Sequence, residues 1–393
     1  MLEDLDVLII GAGPVGGHTA ELIAKAGFSV AIVEEHREVG EPVQCGGIFT
    51  PRVMDLVDCW NTVLERIRGC EFYSPSGKEL VLDGGKTAAL VVDRAAFDRE
   101  VVRKALQKGA TCHLGALATG VQRTDGGLSV RVLMGGVEEE IRCKIIIGAD
   151  GVKGNVTKWF HLARPYRVLP GFEAEVVGAE HTPGYVKVFI GRKVAPGFFA
   201  WLVPSGETAR AGLCLSQGNA RAYLERMFLQ GPPASFLSGA KPVGYIIGGI
   251  PIGLARRTYS DNVMVVGDAA FQAKATSGGG IYTGLVCAGH CARTAIESLE
   301  AGDLSASFLA RYEERWKKDI GRELKRYLFL HKVLSRLNDK QMEEIHEILN
   351  KPRLLTTISE LGDIDYQWRV VLGLLKQEPR LFRYVGSAIR ALL

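Results

Sequence analysis

The stretch Val7-Leu8-Ile9-Ile10-Gly11-Ala12-Gly13-Pro14-Val15-Gly16 decides how the rest of the chain is read. Its four leading apolar residues read as a strand buried on both faces, as parallel strands are. A Gly-x-Gly-x-x-Gly turn follows at once, then a helical pattern through Ala20, Ile23 and Ala24. Gly27 suits a helix C-terminus. A second apolar run, Phe28–Val33, ends in Glu34-Glu35. Each glycine has its own task. Gly11 permits the tight turn, Gly13 lets a pyrophosphate touch the backbone, and Gly16 lets helix and strand pack closely. Pro14 and Val15 open a helix whose positive dipole end faces the phosphates. Glu34 lies 23 residues after Gly11, where a carboxylate accepts from a ribose hydroxyl.

Further strands extend the pattern. Ile145-Ile146-Ile147 runs into Gly148-Ala149-Asp150-Gly151, and Val263–Val266 runs into Gly267-Asp268-Ala269-Ala270. Parallel strands of one sheet end at the same edge, so Asp150 and Asp268 are expected beside the same ligand as Gly11. Gly278-Gly279-Gly280-Ile281 opens an apolar helix that begins at Tyr282 and forms a second anion cradle. Two cradles and two acids at one site suit a long ligand gripped at both ends, and FAD fits. The piece Pro42-Val43-Gln44-Cys45-Gly46-Gly47-Ile48 reads from spacing alone equally as a plain loop. Val91-Val92-Asp93-Arg94 reads as a strand entering a helix, with Asp93 as N-cap. Arg94 is placed either against a phosphate or against Asp98.

Composition limits the rest. The chain has 393 residues, 47% hydrophobic and 23% charged, as a soluble globular protein of two or three domains does. Its net charge of +4 is too weak to argue for nucleic acid. The eight cysteines form no Cys-x-x-Cys pair, so no metal site is expected. Asp4 and Asp6 stand where a signal peptide would be basic, which points to a cytoplasmic setting. Val243–Ala255, the longest apolar stretch, is too short and too broken to span a bilayer.

Asn61–Val92 and Pro170–Ser216 alternate apolar and polar residues, as half-buried antiparallel strands do. They read as a sheet inserted into a nucleotide fold to floor a substrate cavity. Phe198–Pro204 is strand-like, its aromatics either core or a ring wall. The expected architecture is α/β. A Rossmann-like FAD-binding domain comprises residues 1–60, 93–165 and 257–300. An inserted antiparallel β-sheet substrate domain comprises 61–92 and 166–256, and a helical C-terminal domain comprises 301–393. In that last part Trp316, Ile320, Leu324, Tyr327, Leu328 and His331 form one apolar stripe. Between Arg315 and Arg336 stand eight basic and two acidic residues. The stretch reads either as a packing helix with a solvated basic face or as a peripheral contact with anionic lipid.

These motifs, in this order, resemble the flavoprotein superfamily of p-hydroxybenzoate hydroxylase. Within it the chain is similar to the geranylgeranyl reductases, including the archaeal digeranylgeranylglycerophospholipid reductases. Gly11–Gly16, Glu34, Pro42-x-x-Cys45-Gly46-Gly47, Asp93-Arg94, Gly148–Gly151, Gly267–Ala270 and Gly278–Ile281 carry the resemblance. Phe199-x-Trp201-x-Val203-Pro204 is similar to that family's Tyr-x-Trp-x-Phe-Pro motif, with Phe199 for its Tyr and Val203 for its Phe. The resemblance implies a flavin reductase that saturates prenyl chains, those of archaeal-type membrane lipid precursors, by hydride transfer from reduced flavin N5 plus a proton. It places Gly11, Gly13, Pro14, Val15, Gly16, Glu34, Glu35, Cys45, Gly46, Gly47, Ile48, Arg94, Val121, Asp150, Gly267, Asp268, Gly278, Gly279, Gly280 and Ile281 around FAD. Phe199, Trp201 and Pro204 are implied to line the substrate, with Cys45, Trp201 and Tyr282 nearest the chemistry. A prenylated lipid and an external donor, ferredoxin or reduced nicotinamide, are the implied partners, at the inner face of the cell membrane. The competing reading on the same fold is an FAD-dependent aromatic hydroxylase or halogenase-like monooxygenase. A non-catalytic prenyl-protein escort fits less well, since every part of a flavin site is present.

Overall fold

The computed structural model describes residues 4–162 and 167–385. The opening strand, Leu5–Ile10, lies inside a sheet ordered Tyr259–Ser260, Val263–Val265, Val137–Gly148, Leu5–Ile10, Val30–Glu34, Thr111–Leu114. All of its pairings along that path are parallel except the first, which is antiparallel. Ile10 stands level with Gly148, and Gly148 with Val265, so the glycine-ended turns converge on one edge. Val7, Leu8 and Ile9 are wholly buried, as the unbroken apolar run requires. One face packs on the helices Pro14–Lys25, Arg94–Gln107 and Ile281–Ala301. The hairpin Ala116–Thr124 and Gly127–Met134 pairs with the first half of Val137–Gly148 and covers the other face.

Helix Pro14–Lys25 begins with proline at its first turn and ends where Gly27 takes a φ of +90°. Asp93 caps Arg94–Gln107, accepting from the Ala96 N–H at 2.9 Å.

The second sheet has seven strands, ordered Lys241–Ile252, Arg167–Val177, Thr208–Cys214, Phe199–Ser205, Tyr185–Ile190, Gly69–Tyr73, Glu79–Asp83. Two findings differ from the expected antiparallel unit. Tyr185–Ile190 pairs with Gly69–Tyr73 in parallel, because the two strands arrive from separate excursions and no hairpin sets their direction. Residues 61–92 also divide between sheets. Val63–Ile67 and Ala89–Val92 join Ile48–Phe49 in a small three-stranded sheet between the two larger ones. The outer face of the seven-stranded sheet is sealed by Ala220–Met227 and Ala234–Leu237. Its inner face looks toward the glycine motifs.

Residues 301–385 wrap both parts instead of forming a lobe of their own. Helices Ala306–Trp316 and Arg322–Leu334, joined by a π-helical turn at Lys317–Gly321, bury Trp316, Ile320, Leu324 and Tyr327 in the same core as Val7 and Ile9. The apolar stripe therefore packs inward and is closed to lipid. Lys317, Lys318, Arg322, Lys325 and Lys332 remain exposed outside it. Helix Asp339–Leu349 docks on the inserted sheet, where His346 Nε2 lies 3.2 Å from the Phe72 carbonyl.

Candidate active site

A side chain at each fingerprint glycine shows how the turn is built. A Cβ on Gly11, whose φ is +106°, would lie 2.4 Å from the Ala149 carbonyl oxygen. One on Gly16 would lie 2.1 Å from the Gly11 carbonyl oxygen. A Cβ on Gly13 would meet nothing within 4 Å, so the turn is open on that side, at a helix N-terminus. Glu34 holds this turn in shape: Oε2 accepts from the Ala12 N–H at 2.8 Å, and Oε1 from the His36 N–H at 3.0 Å. Glu35 pairs with Lys153 at 2.6 Å across the mouth. Asp150 accepts from the Val156 N–H at 3.0 Å through Oδ2, while its buried Oδ1 has no hydrogen-bond partner among the described residues. Burial raises its carboxyl above the usual range. An open cradle beside an orphaned acceptor suits a dinucleotide's phosphates and hydroxyls.

Arg94 is buried and donates to both oxygens of Asp98, at 3.1 and 2.9 Å. Burial alone would lower its basicity; Asp98 and the Cys45 thiol reverse this and raise it. The chain thus settles Arg94 on Asp98 while leaving it beside the Cys-Gly-Gly loop. Asp268 is pushed up to about 6 by burial, against the pull of Arg94. Its Oδ1 lies 2.8 Å from where a Gly280 Cβ would stand, so the Gly-Asp turn and the triple glycine do meet. Ile48 begins the small sheet, level with Val91.

The inserted sheet closes on this loop with residues that the sequence reading did not single out. Arg210 donates to the Gly46 carbonyl at 2.9 Å and to the Val92 carbonyl at 3.3 Å. Glu173, only 3% exposed, accepts from the Trp201 indole N–H at 2.5 Å through Oε2. That oxygen lies 3.1 Å from where a Gly46 Cβ would stand. Gly212 is the residue opposite both Glu173 and Trp201, and a Cβ there would sit 2.7 Å from the indole. Phe199 packs edge-on against Trp201, with ring centroids 5.9 Å apart. Pro204 is a correction to the expected substrate lining. It pairs with Ala209 and falls on the opposite face with Leu202, because successive strand residues alternate sides and Trp201 and Val203 take the inner one.

Tyr282 turns elsewhere: its hydroxyl lies 3.3 Å from that of Tyr366, and burial raises its pKa. The segment Asp363–Gln367 straps the last cradle. Lys274 pairs with buried Asp365 at 2.7 Å, Thr276 donates to Gln367 at 2.7 Å, and Arg52 forks onto Asp363 at 2.8 and 2.9 Å. Val121 lies on the covering hairpin, half-buried against the core of Leu8 and Val33. A cleft of about 430 Å³ lined by Arg123, Asp261 and Asn262 lies at the opposite edge of the parallel sheet and holds none of these motifs.

A family of FAD binding domains matches residues 4–167. A digeranylgeranylglycerophospholipid reductase of Methanocaldococcus jannaschii is 31% identical, over 96% of this chain and 97% of its own. The chain belongs to the digeranylgeranylglycerophospholipid reductase family. It binds FAD and is a flavin-dependent oxidoreductase. An uncharacterized protein of the same archaeon is 32% identical over 95% of both chains. Among solved structures, a geranylgeranyl bacteriochlorophyll reductase-like protein of Thermoplasma acidophilum superposes with a TM-score of 0.87 at 23% identity, covering 98% of this chain and 99% of that one. A flavin-dependent brominase superposes at 0.73 and 17% identity, over 97% and 100% of the two chains. Both likenesses are of fold. Among the described residues, no helix is long and apolar enough to cross a membrane.

Proposed function

We propose that this protein saturates the C=C bonds of geranylgeranyl chains carried on an archaeal-type glycerophospholipid, with FAD as its redox cofactor. The observation that carries the reading is the closure of the aromatic inner face, Phe199 and Trp201, onto the Cys45-Gly46-Gly47 loop within a reductase-family chain. Gly11, Gly13, Gly16 and Glu34 would hold the adenosine and pyrophosphate end, and Asp268 with Gly278–Gly280 the other. When bound and reduced, the flavin supplies a hydride. An isolated alkene accepts hydride poorly, so the chain's own task is to hold it in register, exclude water and deliver a proton. Phe199 and Trp201 provide the apolar wall for that task, and Arg210 fixes the loop against the sheet. The lipid substrate draws the enzyme to a membrane surface, where the exposed lysines and Arg322 around 317–332 meet anionic headgroups. Electrons arrive from ferredoxin or a reduced nicotinamide that docks transiently.

The test is anaerobic: chemically reduced enzyme is mixed with liposomes bearing the unsaturated lipid and the flavin spectrum is followed. Reoxidation that depends on the prenyl lipid supports the reading. A flavin that stays reduced with every prenyl lipid, yet reacts with oxygen and an aromatic substrate, moves the protein to the monooxygenase class.

A further inference from the structure

Glu173 is a carboxylate in a place that gives it almost nothing to balance its charge. It is 3% exposed, and its Oε1 is buried with no hydrogen-bond partner among the described residues. Its Oε2 accepts one neutral donor, the Trp201 indole N–H. The nearby cation, Arg210, spends its NH1 on the carbonyls of Gly46 and Val92. Glu175, on the same face, is a second acid that accepts from Thr208 at 2.8 Å. Cys214 stands across the sheet, its thiol pushed up to about 12 by burial, with Glu173 and Cys45 adding to the rise. A buried carboxylate without an ion pair is expensive, and the group relieves that cost by keeping its proton. Gly46 and Gly212 both lack a side chain where one would press on Glu173, so two bare backbones leave the acid facing the loop.

We propose that Glu173 is the proton donor of the alkene reduction, an assignment that rests on the reductase reading above. In that step the O–H bond of the Glu173 carboxyl breaks and a C–H bond forms at one alkene carbon. The other carbon takes the hydride and electron pair that reduced FAD contributes, leaving a saturated bond, oxidised FAD and the Glu173 carboxylate, which regains its proton from water after release. The alternatives are placed less well. The Tyr282 hydroxyl is engaged with Tyr366, and the Cys45 side chain lies against the Arg94 guanidinium, which is itself forked onto Asp98. Burial holds the Glu173 carboxyl up to about 7, with Trp201 and Arg210 pulling it down and Glu175 pushing it up. A donor raised that far keeps its proton in a large share of molecules near neutral pH, where an ordinary carboxyl keeps almost none, and gives it up readily.

The experiment pairs turnover with a titration that needs none. Carboxyl-stretch infrared difference spectra of the oxidised holoenzyme across pH show a protonated carboxyl that ionises near pH 7, and Glu173→Gln removes that band. In anaerobic single turnover, Glu173→Gln slows lipid-dependent flavin reoxidation by about 10²- to 10⁴-fold, the usual contribution of a general acid, while it retains FAD. Trp201→Phe loses the N–H that stabilises the carboxylate, so the fall of the rate with rising pH moves to higher pH. That variant keeps the test alive if Glu173→Gln does not fold. Glu173→Gln turning over at the wild-type rate, or a pH limb that Trp201→Phe leaves in place, overturns the assignment. A wild-type enzyme inert toward every prenyl lipid overturns the reductase reading instead, and the infrared band then stands apart from it.

Discussion

Arg210 is the clasp between the inserted sheet and the Cys-Gly-Gly loop, and Arg210→Met measures it. Arg210 is 7% exposed, and its guanidinium serves two carbonyls, Gly46 at 2.9 Å and Val92 at 3.3 Å. Methionine matches the length of the apolar stem and removes the donors. A hydrogen bond from a charged donor contributes about 1.5–3 kcal/mol, and the longer contact counts for less, so the loss is about 2–4 kcal/mol. At 1.4 kcal/mol per tenfold, local opening becomes roughly 30- to 700-fold more frequent. The Val92 N–H, which donates to the Gly47 carbonyl at 2.9 Å, reports it directly. Hydrogen exchange at Val92 should speed up by that factor while amides of the Leu5–Ile10 strand keep their protection, and FAD affinity should fall with it. Arg210→Lys, with one donor head, should fall between. Native exchange at Val92 in Arg210→Met would refute the clasp.

Other perturbations separate the parts of the site. Gly16→Ala forces a Cβ to 2.1 Å from the Gly11 carbonyl and should destabilise the protein with or without FAD, whereas Gly13→Ala meets nothing and should weaken only FAD binding; paired melts of apo and holo forms distinguish them. Lys274→Met leaves Asp365, whose side chain is wholly buried, with Arg52 and Thr50 as its remaining side-chain partners; a loss of about 3 kcal/mol, at the low end for a broken buried pair, should appear in urea unfolding. Burial would raise the Asp363 carboxyl, but the Arg52 fork outweighs it and holds the group below its usual range. Its contribution is therefore present above about pH 4 and is lost as pH falls through the lowered value. Peptic cleavage within the Asp363–Gln367 strap should rise on acidification, and Arg52→Gln should remove that dependence.

The glycine turns were legible because their constraint is local. A strand, a φ that only glycine tolerates and a helix start all lie within ten residues, and the Asp93 cap is written in the same way. Glu173 was hidden by its own pattern. In Gly171-Phe172-Glu173-Ala174-Glu175-Val176 the glutamates occupy the polar positions of an alternating strand, which ordinarily face water. Here that face is roofed by a loop more than a hundred residues away, so polar alternation marks the functional side instead of the solvent side. Arg210 is separated from Gly46 by 164 residues, and Thr50 from Asp365 by 315, distances over which no spacing rule operates. The helical stripe at Trp316–Tyr327 was visible as a stripe, but periodicity says only that one face is buried, not what buries it. The parallel pairing of Tyr185–Ile190 with Gly69–Tyr73 was equally unreadable, since no turn connects the two.

The central claim is that this chain adds hydrogen across a prenyl double bond. It is tested most directly by mass spectrometry of the lipid after anaerobic turnover with reduced enzyme. The account predicts a ladder of products, each heavier by two hydrogens per bond saturated, with one flavin oxidised per step and no need for oxygen. Lipid recovered unchanged without oxygen, or a product that gains an oxygen atom when air is admitted, would contradict it.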